Sequence, residues 1–120
     1  MGQPIVHFEI LGKNHAALRD FYAAQFGWGM QDVMDGYTLV TTAEGSPAGA
    51  VGTPPDGMDR MVTVYVQVDS IDEALAAIGK AGGSTVVPRT VLPGMVTYAQ
   101  FSDPAGNVVG LVEAEMPPAE

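Results

Sequence analysis

The chain has 120 residues, 47% of them hydrophobic, which suits one folded domain with a modest core and argues against disorder. It contains no cysteine, so disulfides, thiolate metal sites and cysteine nucleophiles are excluded. Its net charge is -9 and its five basic residues are scattered, so a phosphate backbone would be repelled and nucleic acid is not an expected partner. No apolar run approaches the roughly 20 residues that cross a bilayer, and the N-terminus has neither the charged start nor the apolar centre of a signal peptide. A cytoplasmic protein without membrane contact is the expectation.

The first stretch, Ile5 to Ile10, alternates as a half-buried strand does, with Val6, Phe8 and Ile10 on one face and His7 and Glu9 on the other. Gly12 to Asn14 break it, and Asn14 is placed to cap a helix. Leu18, Phe21, Tyr22 and Phe26 then recur at helical spacing as one apolar stripe, which Gly27 ends. Residues 28–34 predict a second strand, Asp35-Gly36 a hairpin turn, residues 37–42 a third strand and residues 48–52 a short fourth. His15, in the first helical turn, is expected at the surface.

Thr53-Pro54-Pro55-Asp56-Gly57 is the one linker-like segment and lies near the middle. Beyond it, Met61 to Val68 alternate as a fifth strand. Ser70-Ile71-Asp72-Glu73 reads as a capping box that opens a second helix, with Leu75 and Ile78 on its buried side and Gly82-Gly83 as its stop. Residues 84–91 predict a strand that Pro88 confines to an edge or a bulge. Residues 96–101 and 108–112 predict the last two strands. Between them Asp103-Pro104-Ala105-Gly106-Asn107 forms a turn in which the Asp103 carboxylate can bond its own downstream amides.

Ser46-Pro47-Ala48-Gly49-Ala50-Val51-Gly52 echoes Asp103-Pro104-Ala105-Gly106 and then Val109-Gly110, offset by 57 and then 58 residues. A repeat at half the chain length implies two copies of one supersecondary unit. Each copy is a strand, a helix and three strands. The expected fold class is therefore α+β, built from two βαβββ modules. Module 1 spans about residues 4–52, the linker 53–60, module 2 about 61–113 and a tail 114–120. With the helices on one face, His7, Glu9, Tyr65, Gln67, Tyr98 and Gln100 are expected on the other, where a curled sheet would make a pocket.

At this point the chain resembles the vicinal-oxygen-chelate superfamily, which comprises glyoxalases, bleomycin-resistance proteins and extradiol dioxygenases. The likeness is carried by Phe21-Tyr22 with Phe26-Gly27-Trp28, by Val66-Gln67-Val68-Asp69-Ser70-Ile71-Asp72, by Ala81-Gly82-Gly83, and by Phe101-Ser102-Asp103-Pro104-Ala105-Gly106-Asn107, in the family's order. The resemblance implies paired modules around a ligand cavity, commonly in a homodimer. It also implies, for the enzymes, one divalent ion held by His, Glu or Gln on the first and last strand of each module.

Measured against that pattern, the acidic ligand after the Asp103 turn falls on Gly110, and its repeat mate is Gly52. Glu113 is three residues further along a strand and faces the other way. Gln67 on the fifth strand and His7 on the first are the candidates that remain. The chain thus resembles the small members that lack the metal set, and no metal or other cofactor is expected.

The expected ligand-binding residues are His7, Glu9, Tyr65, Gln67, Tyr98, Gln100, Trp28 and Tyr37, with His7 and Glu9 as catalytic candidates. Each also has an ordinary role open to it: His7 as a hydrogen-bonded histidine, Trp28 as a plug between helix and sheet, the tyrosines as core residues. Three functions follow. The first is a metal-free protein that binds a small hydrophobic or aromatic molecule. The second is a metal-dependent lyase, isomerase or dioxygenase of the same superfamily. The third is a dimerising interaction module with a vestigial pocket. Whether the chain is an enzyme is left open by its residues.

Overall fold

The computed structural model describes residues 2–113; the tail expected at 114–120 lies outside the described residues. The chain divides into two compact units. One is Val6–Val64. The other runs from Tyr65 onward and takes in the chain up to Ile5. The element order is that of two βαβββ modules, an α+β fold. Among the described residues, no helix is long and apolar enough to cross a membrane.

In the unit Val6–Val64, β1 (Ile5–Gly12) is followed by α1 (His15–Phe26), β2 (Gly29–Met34), β3 (Tyr37–Thr41) and β4 (Ala48–Gly52). The strands lie in the order β2-β3-β4-β1, with antiparallel pairs at the hairpins and β1 parallel to β4. Asp35-Gly36 turns the β2–β3 hairpin as expected, with Gly36 at φ 76°. Asn14 caps α1 by accepting from the Ala17 amide, and it does so in the left-handed region at φ 59°. Gly27, at φ 68°, closes the helix.

The small residues of β4 are explained by what crosses them. A side chain at Gly49 would overlap the Phe8 ring, and its neighbours Ala50 and Val51 are fully buried. One expectation fails here. The aromatic stripe of α1 is not buried: Phe21 and Phe26 are 54% and 60% exposed. Tyr22 instead turns to Trp28, ring on ring at 5.5 Å and 8°. Trp28 adds enough aromatic surface beyond the helix end to hold Tyr22, and Phe21 is left outside.

In the other unit, Tyr65–Val68 of β5 (Arg60–Val68) pairs in parallel with β8 (Val108–Glu113). Antiparallel β7 (Val96–Ser102) and β6 (Ser84–Leu92) follow, giving the order β5-β8-β7-β6. The same plan therefore recurs: two antiparallel steps, then one parallel. β6 is the edge and carries two register shifts around Pro88, as a proline strand should. The core joins Val68, Ala99 and Leu111 to Ile71 of α2 (Ile71–Lys80), with Leu75, Ile78 and Phe101 packed against it. Each such fully buried aliphatic side chain contributes about 1.5–3 kcal/mol.

Two devices fix α2. The Ser70 hydroxyl accepts from the Glu73 amide at 3.2 Å, the expected half of the capping box. The Ile71 amide is taken by Glu113, 42 residues on, at 3.0 Å. Glu113 also receives Arg89 through two bonds of 2.9 Å. Arg89 first, then the Ile71 amide, hold the Glu113 carboxyl below its usual range. In the last turn Asp103 accepts from the Ala105 and Asn107 amides and from the Asn107 side chain, each at 2.9 Å.

Candidate functional site

Strand alternation sorts the candidates. In β1, Phe8 turns to Trp28 and the helix, with ring centroids 5.6 Å apart. His7 and Glu9 therefore point to the opposite face. There the β3 residue Tyr37, opposite Gly52 in the ladder, reaches them. Its hydroxyl donates to Glu9 Oε2 at 2.7 Å and lies 3.2 Å from His7 Nε2. Glu9 is 8% exposed, while His7 and Tyr37 are half-buried.

The proton arrangement follows. Tyr37 has one hydroxyl proton, and it goes to the carboxylate. Which of His7 Nε2 and the Tyr37 oxygen donates in their contact is set by the imidazole tautomer. Burial holds the His7 pKa below its ordinary value, and the nearby Glu9 opposes that only in part. The neutral imidazole is thus favoured at His7 at neutral pH.

In the other unit, Tyr65, Gly110 and Gln100 stand in one cross-strand row, and Gln67, Val112 and Tyr98 in the next. The four expected residues Tyr65, Gln67, Tyr98 and Gln100 thus share a face. The Gln100 amide donates to the Tyr65 hydroxyl at 3.0 Å, and Tyr65 is 4% exposed. A side chain at Gly110 would overlap the Tyr65 ring. At Gly52 a Cβ would stand 2.9 Å from the Gly36 carbonyl oxygen and 3.0 Å from Tyr37 Cδ1. Trp28 does not join these residues. It packs among Phe8, Tyr22 and Phe26 on the helix side of its own sheet.

The ladders also correct the repeat. Counted from the helix caps Asn14 and Ser70, Glu9 corresponds to Tyr65 and His7 to Thr63. The parallel partner of Tyr65 is Gly110, and that of Glu9 is Ala50. The structural mate of Gly110 is therefore Ala50, not Gly52. The modules differ in loop length, so a constant sequence offset drifts off the ladder by two residues.

One cluster escaped the sequence. His15, expected at the surface, is half-buried and bonded. Its Nε2 lies 2.7 Å from the hydroxyl of Thr38, which is fully buried and donates to Asp32 at 2.6 Å. Asp32 also takes Arg19, and the Thr38 bond is the main reason its carboxyl sits below the usual range. His15, Arg19 and Asp32, with Met34 and Gly36, line an open groove of about 480 Å³ beside the helix. The only clue in the sequence was the i, i+4 spacing of His15 and Arg19.

A family model described as the Glyoxalase/Bleomycin resistance protein/Dioxygenase superfamily matches residues 4–111. The chain belongs to this superfamily. Among curated members it is 28% identical, over 109 residues, to a protein named "Putative glyoxylase CFP32" in Mycobacterium bovis and again in Mycobacterium tuberculosis. The match takes in 84% of this chain but 42% of those relatives, so this glyoxalase-superfamily chain spans less than half their length. Among solved structures, the methylmalonyl-CoA epimerase of Mycobacterium tuberculosis superposes with a TM-score of 0.70 at 13% identity, covering 93% of this chain and 88% of that one. The Mn(II)-bound glyoxalase of Novosphingobium aromaticivorans gives 0.70 at 17% identity, covering 98% and 42%. At such identities the superpositions establish the fold. Function has to be argued from the superfamily member's own residues.

Proposed function

We propose that this chain is a metal-free member of its superfamily that binds a small organic molecule, hydrophobic or aromatic in body, on the helix-free faces of its sheets. The supporting observation is the occupation of the row at Gly110. A ligand-bearing side chain there has no room, because the Tyr65 ring stands over the glycine and Gln100 holds its hydroxyl. The counterpart position in the other unit is Ala50, fully buried and without a donor atom. The first-strand partners of these positions are Glu9 and Tyr65, with His7 and Thr63 two residues before them, so each unit is counted by itself: His7 and Glu9 in one, and in the other no His or carboxylate at these positions. Neither set fits the several His, Glu or Gln ligands that a catalytic ion needs. Rings and amides take their place as the gripping groups: Tyr37 in the one unit, and Tyr65, Tyr98, Gln67 and Gln100 in the other.

The Mn(II)-bound glyoxalase among the structural relatives keeps the alternative concrete, a metal-dependent lyase, isomerase or dioxygenase. The experiment is a thermal-shift screen of the full chain against divalent metals and against small aromatic metabolites. Stabilisation by one or more organic compounds and by no metal supports the proposal. Stabilisation by a metal alone, lost on His7→Gln, would replace it with the alternative.

A further inference from the structure

We infer that the groove bounded by α1 and the β2–β3 turn is a second binding site, for a zwitterion of the α-amino-acid type. None of its lining residues belongs to the site proposed above, so the inference stands independently of that one. Asp32 titrates below the usual range, so at neutral pH it is a carboxylate and only accepts. The buried Thr38 hydroxyl gives it its one proton at 2.6 Å. His15 Nε2, 2.7 Å from the same hydroxyl oxygen, then brings an N–H to it, and Nδ1 is left with a lone pair. Arg19, one turn further along α1, directs Nε to Asp20 and Nη1 to Asp32. Both N–H groups of its Nη2 remain uncommitted among the described residues. Asp35, at the turn, is exposed and bonded to none of the described residues.

The groove thus offers two kinds of handle. Arg19 Nη2 presents charged donors, which a carboxylate accepts. His15 Nδ1 and the Asp35 carboxylate accept, as an ammonium requires. A simple anion would satisfy Arg19 but face Asp32 and Asp35, in a chain of net charge -9. A simple cation would satisfy Asp35 but stand beside the Arg19 charge. A molecule with both charges a few bonds apart meets an opposite charge at each end. Val33 and Met34, 36% and 46% exposed, are open to an apolar side chain on that molecule. The groove's volume of about 480 Å³ falls within the roughly 300–1,000 Å³ of small-molecule sites.

The test uses three probes of one shape: phenylalanine, phenethylammonium and 3-phenylpropionate. Each is titrated at neutral pH into the 15N-labelled full chain while the amides of His15, Met34 and Gly36 are followed, with those of His7 and Glu9 as the comparison. Phenylalanine is expected to shift the first set with an affinity at least about tenfold above that of either singly charged probe. Arg19→Gln and Asp35→Asn are each expected to erase that advantage. Should the Arg19 variant not fold, Asp35→Asn still decides, because Asp35 holds no bond in the fold. Equal affinities, a singly charged probe ahead of phenylalanine, or an unchanged preference in Asp35→Asn would overturn the inference. Shifts confined to His7 and Glu9 would overturn it too, while leaving the helix-free face as a binding site. No shift at any of these amides would likewise overturn it.

Discussion

Replacing Gly110 with alanine places a methyl group where the Tyr65 ring already stands. The overlap involves Cδ2 and Cε2 of the ring, and Cγ lies 2.6 Å from the new carbon, so the root of the side chain is blocked as well as its tip. Tyr65 cannot swing away cheaply: it is 4% exposed and its hydroxyl is held by Gln100. Overpacking of this kind costs about 1–3 kcal/mol. In a chain of this length that lowers the melting temperature by roughly 4–12 °C, at about 4 °C per kcal/mol. Circular dichroism melts of the single variants and of the Gly110→Ala, Tyr65→Ala pair measure it. Tyr65→Ala alone costs about 3–5 kcal/mol as a cavity. In the pair, the methyl has space, so the two costs should fall short of additive by at least about 1 kcal/mol. A Gly110→Ala variant that melts within error of the parent, with additive behaviour in the pair, would refute the geometry on which the metal-free reading rests.

Three further outcomes are expected. Tyr37→Phe removes the hydroxyl that serves Glu9 and should destabilise the fold by about 1–3 kcal/mol in urea unfolding; a neutral result would mean that Glu9 does not depend on that bond. The pH dependence has a definite sign. Because burial lowers the His7 pKa in the fold, the unfolded chain binds the proton first, so this contribution to stability falls as pH drops below about 6.5 and levels off under the folded pKa. His7→Gln should flatten that slope, and an unchanged slope would assign it to another group. Glu113→Gln should cost about 1–2 kcal/mol by weakening the Arg89 pair and the Ile71 cap. It should also remove part of the stability lost below about pH 4, since the native Glu113 carboxyl titrates below its unfolded value.

What the sequence made legible was local. The period changes, the caps at Asn14 and Ser70, the Asp35-Gly36 hairpin and the Asp103 turn each lie within a few residues, and each stands as read. The strand faces were legible too, because alternation puts His7 and Glu9 opposite Phe8 whatever the partner strand. What stayed hidden depends on ladder register. The Ile71 cap comes from Glu113, and His15 is bonded to Thr38, 23 residues away. Tyr37 meets Glu9 only because β3 brings it opposite Gly52. The α1 stripe misled for a related reason: periodicity gives the apolar side of a helix but not how much of it a short sheet can cover, and Phe21 and Phe26 stand exposed.

The most direct test is calorimetric titration of the metal-stripped, untagged chain with Mn(II), Ni(II) and Zn(II). The account predicts no saturable binding near one equivalent for any of them, because the side chains at Ala50 and Gly110 themselves offer no ligand atom and the Tyr65 ring fills the space at the latter. One tightly held equivalent that is lost in both His7→Gln and Glu9→Gln would contradict it.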